Sequence, residues 1–309
     1  MKIFTGSAHP ALAKEICTNL SIDLGKSETI RFSNENIMVK IHENVRGEDV
    51  YVIQPSVSPV SEGIIELLMM LDALKHSSAQ RITAVIPYFP YARSDKKDQP
   101  RISITARLMA DLIETAGADR VLTMDLHAPQ IQGFFRIPVD QLRAINIICD
   151  HLKNGDISNY VLVASDAGEA KDAGRFANRL HLPMAIIDKR RHGNDERPIP
   201  TNLIGDVKGK KVFLVDDEIS TAGTIISGLK FLFDHGATDA VAACTHPILC
   251  GPAIQRIAES KLSEVVVTNT IPIAPEKMID KITVLSVAPV FSKAIKCVHE
   301  GESISSLFD

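Results

Sequence analysis

The sequence predicts an α/β fold made of two similar doubly wound domains, each built on a parallel β-sheet. Short, continuously apolar runs recur along the chain, and such runs are typical of strands buried on both faces of a parallel sheet. Amphipathic segments with helical periodicity lie between these runs. The chain therefore repeats a strand–helix–strand pattern, which is the building unit of doubly wound folds.

The same two patterns predict the individual elements. The predicted strands are DVYVIQ, RITAVIPYF, RVLTMDL, YVLVAS, MAIID, KVFLVDD, AVAACTH and EVVVTNT. The predicted helices span residues 61–77, 103–117 and 224–236. Ser61 and Ser103 can serve as N-caps of the first two helices, and Gly117 and Gly236 are suitable C-terminal glycines for the last two.

The pattern also divides the chain. It runs once to about residue 140, pauses in GFFRIPVDQLRA and starts again at NYVLVASDAGEAK. We therefore expect an N-terminal domain over residues 1–145 and a C-terminal domain over residues 146–309. The last residues of the chain can pack back on the first domain.

Composition limits the classes of partner. The formal net charge is -4, so the chain lacks the excess of basic residues that is typical of nucleic-acid binders. We therefore expect its ligands to be small molecules. The five cysteines are odd in number and widely spaced, which predicts reduced thiols in a cytoplasmic protein rather than disulfides or a zinc site. The N-terminus lacks a signal-type apolar region, and polar residues interrupt the longest apolar runs, so no membrane segment is expected.

The segment KVFLVDDEISTAGT, residues 211–224, indicates a binding site. Asp216 and Asp217 end a predicted strand, which is where parallel sheets bind ligands. The next residues open a helix whose backbone N–H groups suit a phosphate; they are Ser220, Thr221, Ala222, Gly223 and Thr224. An ordinary strand-to-helix turn would use similar residue types. The acid doublet can accept hydrogen bonds from vicinal hydroxyls, so the whole segment favours a sugar phosphate.

The loop resembles the phosphoribosyl-pyrophosphate binding motif of the type I phosphoribosyltransferase fold. Further segments are similar to the ribose-phosphate pyrophosphokinase family over nearly the whole chain: YFPYARSDKKDQPRISI, TMDLHAPQIQGFF, VASDAGEAK, IDKRRHGNDE, THPILCGPAIQRI and VVVTNTIP. The resemblance implies transfer of the diphosphoryl group of ATP to the 1-hydroxyl of ribose 5-phosphate, with Mg²⁺ as cofactor. The products would be AMP and phosphoribosyl pyrophosphate for nucleotide biosynthesis. Such chemistry depends on cations and in-line positioning.

The resemblance also implies roles for single residues. Asp216 and Asp217 would hold the ribose hydroxyls, and residues 220–224 would hold the 5-phosphate. Lys189 and Arg191 match the catalytic lysine and arginine of a loop that closes over the reacting phosphates. Metal-binding positions are matched by His127 and Asp166. The residues on the ATP side are Phe32, Asn34, Asn36, Arg93, Ser94 and His127, of which Phe32 and Asn34 would come from a neighbouring subunit.

Family members assemble from dimers, so the resemblance implies a homo-oligomer, with a hexamer as the expected order. Many members are activated by phosphate and inhibited by ADP at a site between subunits. Arg46 matches part of that site, whereas Asn44 and Ser306 stand where the family commonly has Ser and Tyr.

Several positions depart from the family pattern. Asn36 replaces the glutamate that reads adenine, and Ser94 replaces a glutamine in contact with ATP. Ser220 stands where many members have aspartate, and its hydroxyl can still donate to a phosphate. Ser165 and Glu169 replace a proline and a glycine, which adds negative charge near a phosphate loop.

Two other functions compete with the diphosphokinase. A phosphoribosyltransferase that consumes the product would explain residues 211–224, but it would explain neither the ATP-side segments nor the two similar halves. A non-catalytic paralogue that regulates active subunits would fit the substitutions at Asn36, Ser94 and Glu169. Retention of Lys189 and His127 argues against that paralogue.

Overall fold

The computed structural model of the chain describes residues 1–166, 168–190 and 199–307, and it describes the backbone alone at 189, 190, 199, 200 and 306. The chain divides into two compact units. The first unit contains residues 1–143, 270–272 and 286–309, and the second contains residues 144–269 and 273–285.

The first unit begins with a strand and a helix, continues through a hairpin, and then alternates strands and helices. Its elements are β1 (Lys2–Thr5), α1 (Pro10–Leu20), β2 (Ser27–Arg31), β3 (Ile37–Ile41), β4 (Asp49–Ile53), α2 (Val60–His76), β5 (Arg81–Ile86), α3 (Thr105–Ala116), β6 (Arg120–Met124) and β7 (Val139–Leu142). A short 3-10 helix covers Pro129–Phe134.

The second unit follows directly and holds the longer strands. Its elements are α4 (Ile145–Leu152), β8 (Tyr160–Ala164), α5 (Ala170–Leu180), β9 (Met184–Arg190), β10 (Ile199–Ile204), β11 (Lys211–Ile219), α6 (Gly223–Asp234), β12 (Asp239–Pro247), α7 (Ala253–Glu259), β13 (Glu264–Thr268) and β14 (Ile282–Leu285). The chain then returns to the first unit with α8 (Ala288–Glu300).

Both units are built on parallel sheets, as the sequence predicts. The first sheet has the strand order β1-β4-β5-β6-β7, and the second has the order β10-β9-β8-β11-β12-β13-β14. Among the described strands of the second sheet, β10 alone runs antiparallel. The order β8-β11-β12-β13-β14 repeats that of the first sheet, so the predicted similarity of the two halves is confirmed. The hairpin of β2 and β3 is a separate antiparallel pair.

Apolar side chains from the central strands and from α2, α3, α6 and α7 form a separate core in each unit. Ile225, Leu229 and Leu232 of α6 are at most 3% exposed, which confirms the inward face predicted from helical periodicity. Gly117 and Gly236 adopt left-handed φ angles of 118° and 90° at the ends of their helices, as expected for C-terminal glycines.

The two predicted N-caps are wrong. α2 begins after Pro59 and α3 after Ile104, and neither residue makes a side-chain capping bond. At α3 the hydroxyl of Ser94, in the preceding loop, accepts a hydrogen bond from the N–H of Thr105 at 3.3 Å. A residue distant in sequence thus satisfies the helix terminus, and local sequence patterns do not reveal such a partner.

Helix α8 packs against α1 and contacts the amino ends of β4 and β5. His299 Nδ1 lies 2.7 Å from Asp49 Oδ2, and Arg81 donates to the carbonyl of Val298 at 2.9 Å. The last helix is therefore part of the first unit although it follows the second in sequence. Within the described residues, no helix has the length and apolar character needed to cross a bilayer.

Candidate active site

The strand order of the second sheet reverses between β8 and β11. From β8 the chain passes through α5 to β9 on one side, and from β11 it passes through α6 to β12 on the other. Reversals of this kind leave a crevice at the carboxyl ends of the two strands, where ligands bind. The last paired residues are Ala164 and Val215, so the segments that follow them line the crevice.

Asp216 and Asp217 lie at this edge but are still part of β11. Pairing with β12 continues to Ile219, opposite Pro247, after pairing with β8 has ended. The strand is therefore longer than the predicted KVFLVDD. Its continued pairing on one side fixes the backbone of both acids, while their other side borders the crevice.

The carboxyl groups of three residues converge here. Ligand oxygens of Glu169, Asp216 and Asp217 all lie within 4.8 Å of one another, and the N–H of Asp217 donates to Asp216 Oδ1 at 2.9 Å. Burial, the adjacent negative charge of Asp217, a hydrogen bond shared with that carboxyl group and the charge of Glu169 raise the pKa of Asp216 well above its usual value. The fully ionised cluster is therefore unfavourable until hydroxyl donors or a cation bind.

In the sequence alone, Glu169 is visible only as an added charge near a phosphate loop. Its contact with the acid doublet depends on the adjacency of β8 and β11, which are separated by more than 40 residues of chain. No local sequence pattern predicts that β8 and β11 are neighbours.

The predicted phosphate loop lies between β11 and α6. Ala222 precedes the helix with φ 59° and ψ 7°, a left-handed conformation that costs a non-glycine residue about 1–2 kcal/mol. The loop is held from one side by the segment after β12, since Leu249 donates to Ile219 and Cys250 to Ser220, both at 3.0 Å. Ser220 Oγ lies 3.2 Å from Cys250 Sγ. These contacts hold the strained turn in place.

Arg256 of α7 also reaches this loop. Its Nη1 donates to the carbonyl of Thr221 at 2.9 Å, and a Cβ added at Gly223 would stand 3.3 Å from the same nitrogen. The segment THPILCGPAIQRI contributes to the family resemblance, but the resemblance assigns no role to Arg256. One signal in the sequence could have indicated it, because Arg256 is the only lysine or arginine of that segment.

Asp166 follows β8 and closes the turn into α5. Its Oδ1 accepts hydrogen bonds from the N–H groups of Gly168 and Glu169 at 2.8 and 3.1 Å. The same turn therefore places Asp166 near the crevice and directs Glu169 towards the acid doublet.

Lys189 lies in β9, with its backbone opposite Pro200 of β10. Strand β9 extends past Ile186, the last residue paired with β8, so Lys189 is beyond the carboxyl end of β8. The predicted catalytic Arg191 lies outside the described residues.

The predicted ATP-side residues all belong to the first unit. Phe32, Asn34 and Asn36 form the turn of the β2–β3 hairpin, in which Phe32 N–H donates to Asn36 O at 2.8 Å and Asn34 Oδ1 accepts from Asn36 N–H at 3.2 Å. Phe32 is 46% exposed. Arg93 and His127 are exposed in the loops that follow β5 and β6.

Ser94 and Arg46 make local contacts. The hydroxyl of Ser94, besides accepting from Thr105, donates to the carbonyl of Ser103 at 3.3 Å, so it holds the loop against α3. Arg46 is exposed in the turn after β3, where its N–H donates to Asn44 Oδ1 at 3.1 Å. The second unit thus brings together its acid doublet, its phosphate loop and the Asp166 turn, while the hairpin groups Phe32 with the two asparagines.

Comparison with protein-family models gives two matches. Residues 1–117 match the N-terminal domain of ribose phosphate pyrophosphokinase, and residues 191–309 match the phosphoribosyl synthetase-associated domain.

Relatives of known name match the whole chain. A ribose-phosphate pyrophosphokinase from Clostridium acetobutylicum is 52% identical over 310 residues, covering 100% of this chain and 97% of the relative. One from Caldanaerobacter subterraneus is 52% identical over 309 residues, covering 100% and 98%. The solved structure of phosphoribosylpyrophosphate synthetase from Mycobacterium smegmatis is 42% identical, with a TM-score of 0.92 over 97% of this chain and 99% of that one. The chain therefore belongs to the ribose-phosphate pyrophosphokinase family.

Proposed function

We propose that this chain is a ribose-phosphate diphosphokinase, which moves the diphosphoryl group of ATP to the 1-hydroxyl of ribose 5-phosphate and releases AMP. The observation that carries the proposal is the crevice between β8 and β11, where Asp216 and Asp217 lie beside the first turn of α6. Similarity to named pyrophosphokinases over the full chain supports the same activity. It supports neither the phosphoribosyltransferase nor the regulatory paralogue.

Ribose 5-phosphate binds in this crevice. Asp216 and Asp217 accept hydrogen bonds from its 2- and 3-hydroxyls, which relieves the repulsion within the acid cluster. Residues 220–224 receive the 5-phosphate at the positive end of α6. The anomeric hydroxyl is then left free to react with ATP.

In the reaction, the oxygen of the 1-hydroxyl attacks the β-phosphorus of ATP. The bond between that phosphorus and the oxygen bridging to the α-phosphate breaks, AMP leaves with the bond electrons, and the hydroxyl proton passes to solvent. Negative charge accumulates on the phosphoryl oxygens, so fixed positive charge lowers the barrier. Lys189 and Arg191 supply that charge, and the extension of β9 beyond β8 supports a position for Lys189 at the crevice.

A divalent cation is the expected cofactor, and we assign it as Mg²⁺. The donors at the crevice suit it, because the three clustered carboxyl groups and Asp166 offer the oxygen ligands that hard cations prefer. Asp166 and His127 would hold the ion on the family pattern. When bound, the cation neutralises charge on the diphosphoryl group.

The first unit presents ATP. The exposed ring of Phe32 offers a stacking surface for adenine, with Asn34 and Asn36 beside it, while Arg93, Ser94 and His127 lie on the side of the triphosphate. A homo-oligomer built from dimers lets the hairpin of one subunit serve the site of another. Large apolar side chains exposed on α2 and α3 support such assembly; they are Ile65, Met69, Leu108 and Leu112.

Two further assignments remain proposals. Phosphate and ADP act as effectors near Arg46. The protein works in the cytoplasm, a location consistent with five free cysteines, four of them buried.

The test is a phosphorus NMR assay with ATP, ribose 5-phosphate, magnesium and inorganic phosphate. We expect AMP and a 1-diphosphoryl sugar to appear together, and Lys189→Ala to abolish their formation. Absence of both products from a protein that binds both substrates would contradict the proposal.

A further inference from the structure

Helix α7 carries a positive charge, that of Arg256, which lies at the phosphate loop. The guanidinium of Arg256 lies against the first turn of α6, 2.9 Å from the Thr221 carbonyl and in the space that a side chain at Gly223 would enter. Because Gly223 has no Cβ, the cation approaches the helix terminus closely.

This position is unfavourable without an anion. A helix N-terminus carries about half a positive charge and disfavours a nearby cation. Across residues 1–166, 168–190 and 199–307, Arg256 forms no ion pair that would offset this repulsion. A bound anion would be attracted by both the guanidinium and the helix terminus.

The same segment also orients the loop. Three consecutive carbonyls, those of Ile219, Ser220 and Thr221, accept hydrogen bonds from Leu249, Cys250 and Arg256 respectively. A carbonyl oxygen repels a phosphate. Because these three carbonyls accept hydrogen bonds from α7 and the segment before it, their oxygens cannot turn towards the ligand. One N–H of Arg256 donates to the Thr221 carbonyl. The guanidinium has five N–H donors in all, so others remain for a ligand.

We propose that Arg256 is a specificity-determining residue of the ribose 5-phosphate site. One guanidinium N–H holds the Thr221 carbonyl, and others meet the 5-phosphate, so the site selects a phosphate monoester dianion over an uncharged sugar. The inference rests on the proposed function, because it takes residues 220–224 as the 5-phosphate site.

Kinetics and titration of Arg256 variants test it. A hydrogen bond to a charged group contributes about 1.5–3 kcal/mol, so Arg256→Gln should raise both the KM and the Kd for ribose 5-phosphate by about 10- to 100-fold. The KM for ATP and kcat should change by no more than about threefold, because the residue does not contact the reacting atoms. Screening by salt should weaken sugar-phosphate binding less in this variant than in the parent.

Arg256→Lys separates charge from loop support. Lysine keeps the cation, so it should recover part of the lost affinity. If the residue only supported the Thr221 carbonyl, the neutral amide donor of glutamine would serve as well as lysine. Equal or better binding by Arg256→Gln than by Arg256→Lys would overturn the inference.

Lys230→Gln is the matched control, since it removes one positive charge from an exposed position of α6, and it should bind like the parent. If Arg256→Gln also binds like the parent while Thr224→Ala loses affinity, the inference about Arg256 is wrong and the loop assignment stands. If neither the parent nor Lys230→Gln binds ribose 5-phosphate, the proposed function fails and the inference fails with it.

Discussion

The space beyond the carboxyl ends of β1 and β4 in the first sheet corresponds to the crevice beyond β8 and β11 in the second, and the chain fills the two spaces differently. Pairing of β1 with β4 ends at Thr5 and Ile53, as pairing of β8 with β11 ends at Ala164 and Val215. The next residue is Gln54 in the first unit and Asp216 in the second. Equivalent positions of one scaffold thus carry an amide in one half and a carboxyl group in the other.

The crevice of the first unit is occupied by its own side chains. Glu66 of α2, 2% exposed, accepts hydrogen bonds from the N–H of Ser7 at 3.1 Å, from the hydroxyl of Ser7 at 2.6 Å, from Thr29 Oγ1 at 2.5 Å and from Gln54 Nε2 at 2.7 Å. A Cβ added at Gly6 would clash with Gln54 Oε1. No ligand could enter this space without displacing the network.

The two units thus differ in the role of their carboxylates: Glu66 stabilises the fold, whereas Asp216 is suited to bind a ligand. Glu66 is surrounded by donors, so its charge is satisfied by the fold itself. Asp216 instead is buried beside Asp217 and Glu169; burial and these two neighbours raise its pKa, so the cluster is stabilised by what binds to it. In the first unit a carboxylate of the chain takes the place of an external anion.

The largest test of this comparison is Glu66→Ala. It leaves the buried donors of Ser7, Thr29 and Gln54 without their acceptor, so we expect the free energy of unfolding to fall by about 3–5 kcal/mol. Urea denaturation measures the change. A small carboxylate such as formate can occupy the space, and it should raise the urea midpoint of the variant more than that of the parent.

Glu62→Ala is the control on the same helix. Glu62 is exposed and pairs with Arg31, and an exposed pair contributes at most about 1 kcal/mol. Equal losses in the two variants, or no specific effect of formate, would contradict the interpretation of Glu66 as an internal substitute for an anion.

The second test is Asp216→Asn, which removes charge from the other crevice. Because repulsion within the acid cluster is relieved, the free energy of unfolding should rise by about 1 kcal/mol. Affinity for ribose 5-phosphate should fall by about 10-fold or more, since a charged hydrogen-bond acceptor is lost. Urea denaturation and calorimetric titration measure the two effects.

Asp280→Asn provides a control for charge alone, at an exposed position of the second unit. It should change neither quantity appreciably. Loss of stability in Asp216→Asn, with affinity for the sugar phosphate retained, would show that Asp216 supports the fold as Glu66 does.

The sequence allowed the prediction of the sheets and of one crevice. Apolar strands and the DDEISTAGT segment act locally, so they are visible in a single stretch of sequence. Glu66 was not predicted, because one acid within the apolar helix IIELLMML is typical of a solvated position. Its donors are Ser7 after β1, Thr29 in β2 and Gln54 after β4, and only the folded unit brings them together. Arg256 and Glu169 were missed as site residues for the same reason.

The smallest predicted effect is the pH dependence of stability, which distinguishes the two kinds of carboxylate by sign. The pKa of Asp216 is raised in the folded protein, so its ionisation costs stability above that pKa, and the cost disappears as the pH falls through it. The stability gained by Asp216→Asn should therefore shrink by about 1 kcal/mol or less between about pH 8 and pH 4.

Asp49, in the first unit, provides the contrast. Burial acts to raise its pKa, but hydrogen bonds from Arg81 and His299 outweigh burial and hold the pKa below its usual value. Its stabilising contribution is present above the unfolded pKa and is lost only as the pH falls through the folded one. The destabilisation caused by Asp49→Asn should therefore stay nearly level over the range in which the effect of Asp216→Asn declines. Urea titrations of both variants and the parent at several pH values measure this, and parallel pH profiles would mean that both carboxylates are satisfied by the fold alone.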